Sequence, residues 1–193
     1  MTQEALARAR ARLAAGDVAG ARGESERIAF AGPDAQRAAA HLLLSACAKR
    51  TGDAASARRH VETALSLDPA NALAHYAAAE FAERDRDVEG AIASLERAVA
   101  LSPAFVAAYQ LLGILHGERG DTQRAIDAFS RVVALDPRNA RGYNNLGNAL
   151  RTQGRLADAR AAFERAMALK PDYELAIANV AVTFAQCLMA GLY

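Results

Sequence analysis

The chain has 193 residues and a formal net charge of +1, with 23 Lys and Arg against 22 Asp and Glu interspersed along it. That balance leaves no electrostatic footprint for nucleic acid or an anionic membrane, and neither is expected as a partner. Alanine is abundant and tryptophan absent, which favours closely approaching helices, because Ala has the best intrinsic helix propensity.

Residues 2–37 read as a worn first helix pair, turning at Gly16-Asp17 and ending at Gly32-Pro33, with Arg8 and Arg12 where later copies carry apolar residues. Arginines there suit a capping unit whose outer face meets water. Residues 38–71 turn at Gly52-Asp53, 72–105 at Arg86-Asp87, 106–139 at Gly120-Asp121 and 140–173 at Gly154-Arg155. Glycine is wanted where a helix ends on a left-handed residue, and the Asp after it can cap the next helix through its carboxylate. Arg86 replaces that glycine, which predicts a strained or altered turn. Each second helix should end before a proline, at Asp68-Pro69, Ser102-Pro103, Asp136-Pro137 and Lys170-Pro171, because the ring removes a donor and drives the preceding residue out of helical geometry. Asn71 and Asn139 are placed to cap the helices that follow. Residues 174–190 read as one more first helix with no second helix after it.

The blocks superimpose with a period of 34 residues. Ala57, Ala91, Ala125 and Ala159 fall in phase, as do Leu67, Leu101, Leu135 and Leu169, the four prolines, and the series Val61, Leu95, Phe129, Phe163. A fixed period of this length marks a unit too small to bury its own apolar face, which stacks on copies of itself. In the fourth and fifth blocks Tyr109, Leu112, Gly113, Ala125, Phe129 and Pro137 recur as Tyr143, Leu146, Gly147, Ala159, Phe163 and Pro171. This pattern resembles the tetratricopeptide repeat. The resemblance implies an all-α, right-handed α-solenoid of five helix pairs plus a C-terminal helix, running as a single array over 1–193, with the first helices lining a concave groove that binds ligands.

Phase taken from Gly113 places Leu42, Leu43, Leu73, Tyr76 and Glu80 in that groove, followed by Gln110, Leu111 and Ile114, then Arg141, Asn144, Asn145 and Asn148, and finally Leu175, Asn179 and Val182. The groove is expected to be apolar in its middle and amide-rich toward its C-terminal end, where amides can pair with a peptide backbone. Residues 143–150 are similar to repeats of O-GlcNAc transferase, whose asparagine ladder holds extended peptide. Asn145 and Asn179 match that ladder's phase, while Ala77 and Leu111 occupy its earlier rungs. Chaperone-tail binders of this family use a clamp of lysine, asparagine and arginine, and the apolar groove has no such set.

No catalytic constellation is visible: there is no phosphate-cradling glycine loop, no nucleophile elbow and no unexplained carboxylate pair. His41 and His75 are one repeat apart, but their column continues as Tyr109 and Tyr143, so flat packing residues are expected rather than a metal site, which needs three or four converging ligands. His60 and His116 sit at unrelated phases. Arg119-Gly120-Asp121 has the form of an adhesion tripeptide but coincides with a repeat turn. No cofactor, metal or enzymatic activity is expected. Cys47 and Cys187 lie too far apart along a solenoid to pair, which fits a reducing compartment. The N-terminus lacks the pattern of a secretory signal. A cytoplasmic location follows, and the use of only two lysines, Lys49 and Lys170, suggests the coding bias of a GC-rich bacterial genome.

Leu175 to Tyr193 carry no charged side chain, and Val182, Leu188, Met189, Leu192 and Tyr193 would leave too much apolar surface in water. The segment continues the repeat phase and contains Asn179, Thr183 and Gln186, so a membrane span is not expected. A self-associating end, or a face covered by the rest of a longer protein, accounts for it. The expected function is a non-catalytic scaffold that binds a peptide or helix of a protein partner in its groove. The alternatives are the substrate-recruiting front of a glycosyltransferase or sulfotransferase, and a module that assembles into homo-oligomers through its C-terminal helix.

Overall fold

The computed structural model describes residues 2–189, and every regular element among them is an α-helix. The chain divides into two compact units, one up to Ser102 and one from Pro103. The first holds α1 (Thr2–Ala14), α2 (Val18–Ala31), α3 (Asp34–Arg50), α4 (Ala54–Leu67), α5 (Ala72–Arg84) and α6 (Val88–Leu101). The second holds α7 (Val106–Glu118), α8 (Thr122–Leu135), α9 (Ala140–Thr152), α10 (Leu156–Leu169) and α11 (Glu174–Met189).

The punctuation follows from the turn chemistry. Gly16, Gly52, Gly120 and Gly154 have φ between 79 and 89°, and Arg86 takes the same left-handed conformation at φ 63°. The carboxylates of Asp17, Asp53 and Asp87 each accept the N–H three residues on, and Asn71 and Asn139 cap α5 and α9 in the same way. Asp121 makes no such cap bond; its carboxylate lies 3.5 Å from Nε of Arg119, so Arg119-Gly120-Asp121 is one more helix-to-helix turn. α3 begins at Asp34, a turn ahead of Ala38, because Pro33 has a helix-compatible φ of −61° and no N–H to satisfy.

Within each unit the core is built by one recurring contact between the helices of a pair. A Cβ added to Gly113 would stand 2.6 Å from the Phe129 ring, and one on Gly147 would stand 2.6 Å from Phe163. Only hydrogen fits under those rings, which are themselves buried among Ala125, Ile126, Ala159, Ala162 and Leu150. In the first unit the same phase carries Ser45 with Val61 and Ala79 with Leu95, all buried. As the first-helix residue shrinks from Ser and Ala to Gly, the second-helix residue grows from Val and Leu to Phe, so the filled volume is conserved, as close packing demands.

At the N-terminal end Arg8 and Arg12 do not pack as apolar residues. Both reach Glu24 Oε1 on α2, at 3.5 and 3.4 Å, and Arg12 also bonds Asp17 at 2.9 Å. Cys47 and Cys187 are buried and free, one in each unit. No described helix is long and apolar enough to cross a membrane.

Candidate functional site

In the second unit, α7, α8 and α9 enclose an open groove of about 390 Å³. Its floor is Phe129, Ala125 and Ala149, its α7 wall is Gly113, Ile114, Gly117 and Glu118, and its α9 wall is Arg141, Asn145, Asn148 and Thr152. The two α7 glycines shape the recess: Gly113 lets the α7 backbone close onto the Phe129 ring, which lines the groove floor while staying buried, and Gly117 leaves the next turn without a side chain, its nearest neighbour for an added Cβ being Ala125 at 4.0 Å.

The polar groups of this wall are unevenly spent. Asn148 Oδ1 accepts from Arg151 at 3.0 Å, which leaves its N–H₂ to solvent. Asn145 and Arg141 make no hydrogen bond or ion pair among the described residues, and Arg141 is exposed. Glu118 on the facing wall is likewise exposed. An apolar floor flanked by an unspent amide, an unspent guanidinium and a carboxylate can take an apolar side chain while pairing with backbone and charge around it.

The sequence-predicted residues divide between this groove and other places. Ile114, Arg141, Asn145 and Asn148 are brought together in it. Asn144 is buried, 4% exposed, and its Oδ1 accepts from Asn179 Nδ2 at 3.0 Å. That bond ties α9 to α11 and uses the Asn179 amide internally, so Asn145 and Asn179 are not equivalent free rungs of a ladder. Gln110 and Leu111 are half-buried on α7, and Gln110 Nε2 has no partner. On α11, Val182 is 48%, Leu188 55%, Met189 86% and Leu175 62% exposed; Leu192 and Tyr193 lie outside the described residues. Glu118, Gly117, Thr152 and Phe129 were not anticipated, although they sit one turn beyond or directly beneath predicted positions.

In the first unit the predicted apolar surface is largely interior. Leu43 is 9% exposed and packs with Leu6, Ala9, Ile28 and Ala40, because α1 and α2 cover that side of α3. Leu42 is half-buried against Val61, Ala77 and Phe81. Leu73 remains 49% exposed. Tyr76 is half-buried, and burial, with Glu80 and Glu83 nearby, pushes its phenol up. Glu80 is taken by Lys49 at 2.6 Å.

The histidines pair differently from their phase. His41 Nδ1 lies 3.1 Å from His60 Nδ1, whereas His75 Nε2 lies 3.0 Å from the Pro69 carbonyl. One Nδ1 must donate and the other accept, so at most one ring of the pair is charged while the bond is made. Burial lowers both pKa values; His60 and Arg37 lower His41 further, and Arg59 and Arg22 lower His60 against the opposing pull of Glu26 and Asp53. His116 is buried with Nδ1 3.7 Å from Asp121, too long for a hydrogen bond. Among the described residues no group of three or more His, Cys, Asp or Glu side chains is placed to hold a metal.

The family model described as tetratricopeptide repeat matches residues 48–104 and 111–174. No curated protein matches the chain at a significant level. Among solved structures, MamA is similar with a TM-score of 0.70 at 24% identity, covering 84% of this chain and 94% of its own. YrrB, described as a tetratricopeptide-repeat protein with an unusual peptide-binding site, aligns with a TM-score of 0.69 at 20% identity over 90% of this chain and 88% of its own. The first such domain of Spaghetti (RPAP3), bound to the HSP90 peptide SRMEEVD, aligns with a TM-score of 0.58 at 18% identity over 62% of this chain and 94% of its own. Identities this low establish a common fold, the all-α solenoid of repeated helix pairs.

Proposed function

Because the chain belongs to the tetratricopeptide repeat family, we propose that it is a non-catalytic interaction scaffold that takes a segment of a protein partner into the groove of its second unit. The observation that carries this reading is a recess floored by Phe129 and walled by the half-buried Ile114 beside unspent polar groups on Arg141, Asn145 and Asn148. Peptide binding by YrrB and by the RPAP3 domain supports it. The complementary ligand is a short segment with an apolar residue seated on Ile114 and Phe129, its backbone paired to the asparagine amides, and a carboxylate facing Arg141. Burial of two or three apolar side chains, at roughly 1.5–3 kcal/mol each less association costs, gives an affinity on the order of micromolar.

A random peptide display library panned on the 193-residue chain tests this reading. Selected peptides are expected to carry an apolar residue near an acidic one and to bind Gly117→Leu, which fills the recess, at least about 10-fold more weakly, the equivalent of about 1.4 kcal/mol. Arg141→Ala should weaken the acidic peptides selectively. Thermal unfolding midpoints of both variants should be no lower than that of the parent chain. Selected peptides that bind Gly117→Leu as well as the parent would place binding elsewhere.

A further inference from the structure

α11 is in the phase of a first helix, and its own second helix is not among the described elements. Its buried residues Ala176, Thr183 and Cys187 face inward, while Ile177, Phe184 and Leu188 are 43, 47 and 55% exposed and Ala181 is exposed. One repeat earlier, Gly147 and Leu150 hold the positions of Ala181 and Phe184 and are buried. α10 is the helix that packs against them. The centre of the exposed stripe, Ala181 and Phe184, is therefore on the face that a second helix covers in the preceding pair, while Ile177 and Leu188 at its ends correspond to half-buried Tyr143 and to the turn residue Gly154.

We propose that this face is covered by α11 of a second copy of the chain, lying antiparallel across a two-fold axis. The stripe Ile177, Ala181, Phe184, Leu188 has spacings of four, three and four, which read the same from either end. An antiparallel copy therefore sets Ile177 against Leu188 of the second copy and Ala181 against Phe184 of the second copy, and by symmetry repeats both contacts. The Ala-to-Phe contact has the form of the small-residue-to-aromatic contact of Gly147 with Phe163. Ala181 carries a Cβ where Gly147 has none, and a helix from another copy is not held in by a short turn, so it can stand off by that amount. The direction is also right, since the helices of each pair are antiparallel. Charge is the second argument: a two-fold axis brings like groups near each other, and Leu175 to Met189 contain no charged side chain to repel its own image. This interface is separate from the groove.

Light scattering across a concentration series reads the mass of the parent chain and two variants. The parent is expected to double its mass as concentration rises. Ile177→Lys, at an exposed position, should raise the dimer dissociation constant by more than about 100-fold, because the ammonium would be sealed against Leu188 of the second copy. Ile177→Lys with Leu188→Glu should restore the dimer, since each new cation then meets a new anion across the axis, whereas within one helix the two are eleven residues apart. Circular dichroism of all three should superimpose. A parent chain that stays monomeric at its highest soluble concentration, an Ile177→Lys chain that still dimerises, or a double variant that stays monomeric would each overturn the proposal. Gly117→Leu should leave the mass unchanged.

Discussion

The two units build the same helix pairs and leave different surfaces. Up to Ser102, the polar side chains around the α3 to α5 face are tied down: Lys49 pairs with Glu80 at 2.6 Å and lies 5.0 Å over the Phe81 ring, Arg58 pairs with Asp85 at 2.6 Å, and Arg50 donates to the Leu13 carbonyl at 2.6 Å. From Pro103 onward, Arg141 and Asn145 stay unspent beside a recess floored by Phe129. The packing solution links the two facts. A first helix with Ser45 or Ala79 at the contact keeps a side chain over a medium-sized partner, whereas one with Gly113 admits a buried aromatic ring that lines the groove floor. The choice that fills the core thus also sets the surface.

The largest test of that link is at the glycines. Gly147→Ala would put a Cβ 2.6 Å from a ring that is 0% exposed, and overpacking should cost about 1–3 kcal/mol even though Ala is the better helix former. Gly147→Leu should cost at least as much. Combining Gly147→Ala with Phe163→Leu recreates the Ala79 and Leu95 solution of the first unit, and urea unfolding of the four chains of that cycle should show a favourable coupling of about 1 kcal/mol or more. Gly117→Ala has room, with 4.0 Å to its nearest neighbour, and should be neutral or stabilising by up to about 1 kcal/mol. Equal losses at Gly147 and Gly117 would break the comparison.

A smaller effect separates the units by pH. Burial and neighbouring cations hold His41 and His60 below the ordinary imidazole value, so the unfolded chain takes up these protons first. The contribution is complete above about pH 6.5 and is lost as pH falls from there through the depressed folded values. A second proton on the pair also removes the acceptor of the 3.1 Å contact between the rings. Urea midpoints should fall between pH 7.5 and 5.5 in the parent chain and stay nearly level in His41→Gln/His60→Gln. An equal fall in that double variant would assign the pH response to other groups.

Much of this was legible because it is local or periodic. The positive-φ turns, the Asp and Asn caps and the proline stops depend on residues within four positions of each other, and the repeat phase carried Ile114, Arg141, Asn145 and Asn148 to one groove. What escaped depends on which neighbour arrives. Leu43 has the phase of a groove residue, yet the first pair, with its own spacing, brings Leu6 and Ile28 against it. Asn144 reads as solvated beside Asn145 until Asn179 on α11 reaches back to it. His60 is out of phase with His41 along the chain, but the pairing of α3 with α4 brings their rings together.

Arg86 gives the smallest and sharpest comparison, because it is the one described turn position of its kind that is not glycine. Its φ of 63° matches the conformation that Gly52 reaches at 82° in the preceding pair, so the turn itself is unaltered and the misfit is carried by the side chain's Cβ against its own carbonyl. A left-handed L-residue costs roughly 1–2 kcal/mol, of which glycine returns a part through the greater freedom of its unfolded chain. Arg86→Gly is therefore expected to stabilise the first unit by about 0.5–1 kcal/mol, read as a raised urea midpoint at unchanged slope, while Gly52→Arg should destabilise it by a similar amount. An Arg86→Gly chain with an unchanged or lowered midpoint would mean that the arginine side chain holds a compensating contact at this turn and that the two turns are not equivalent.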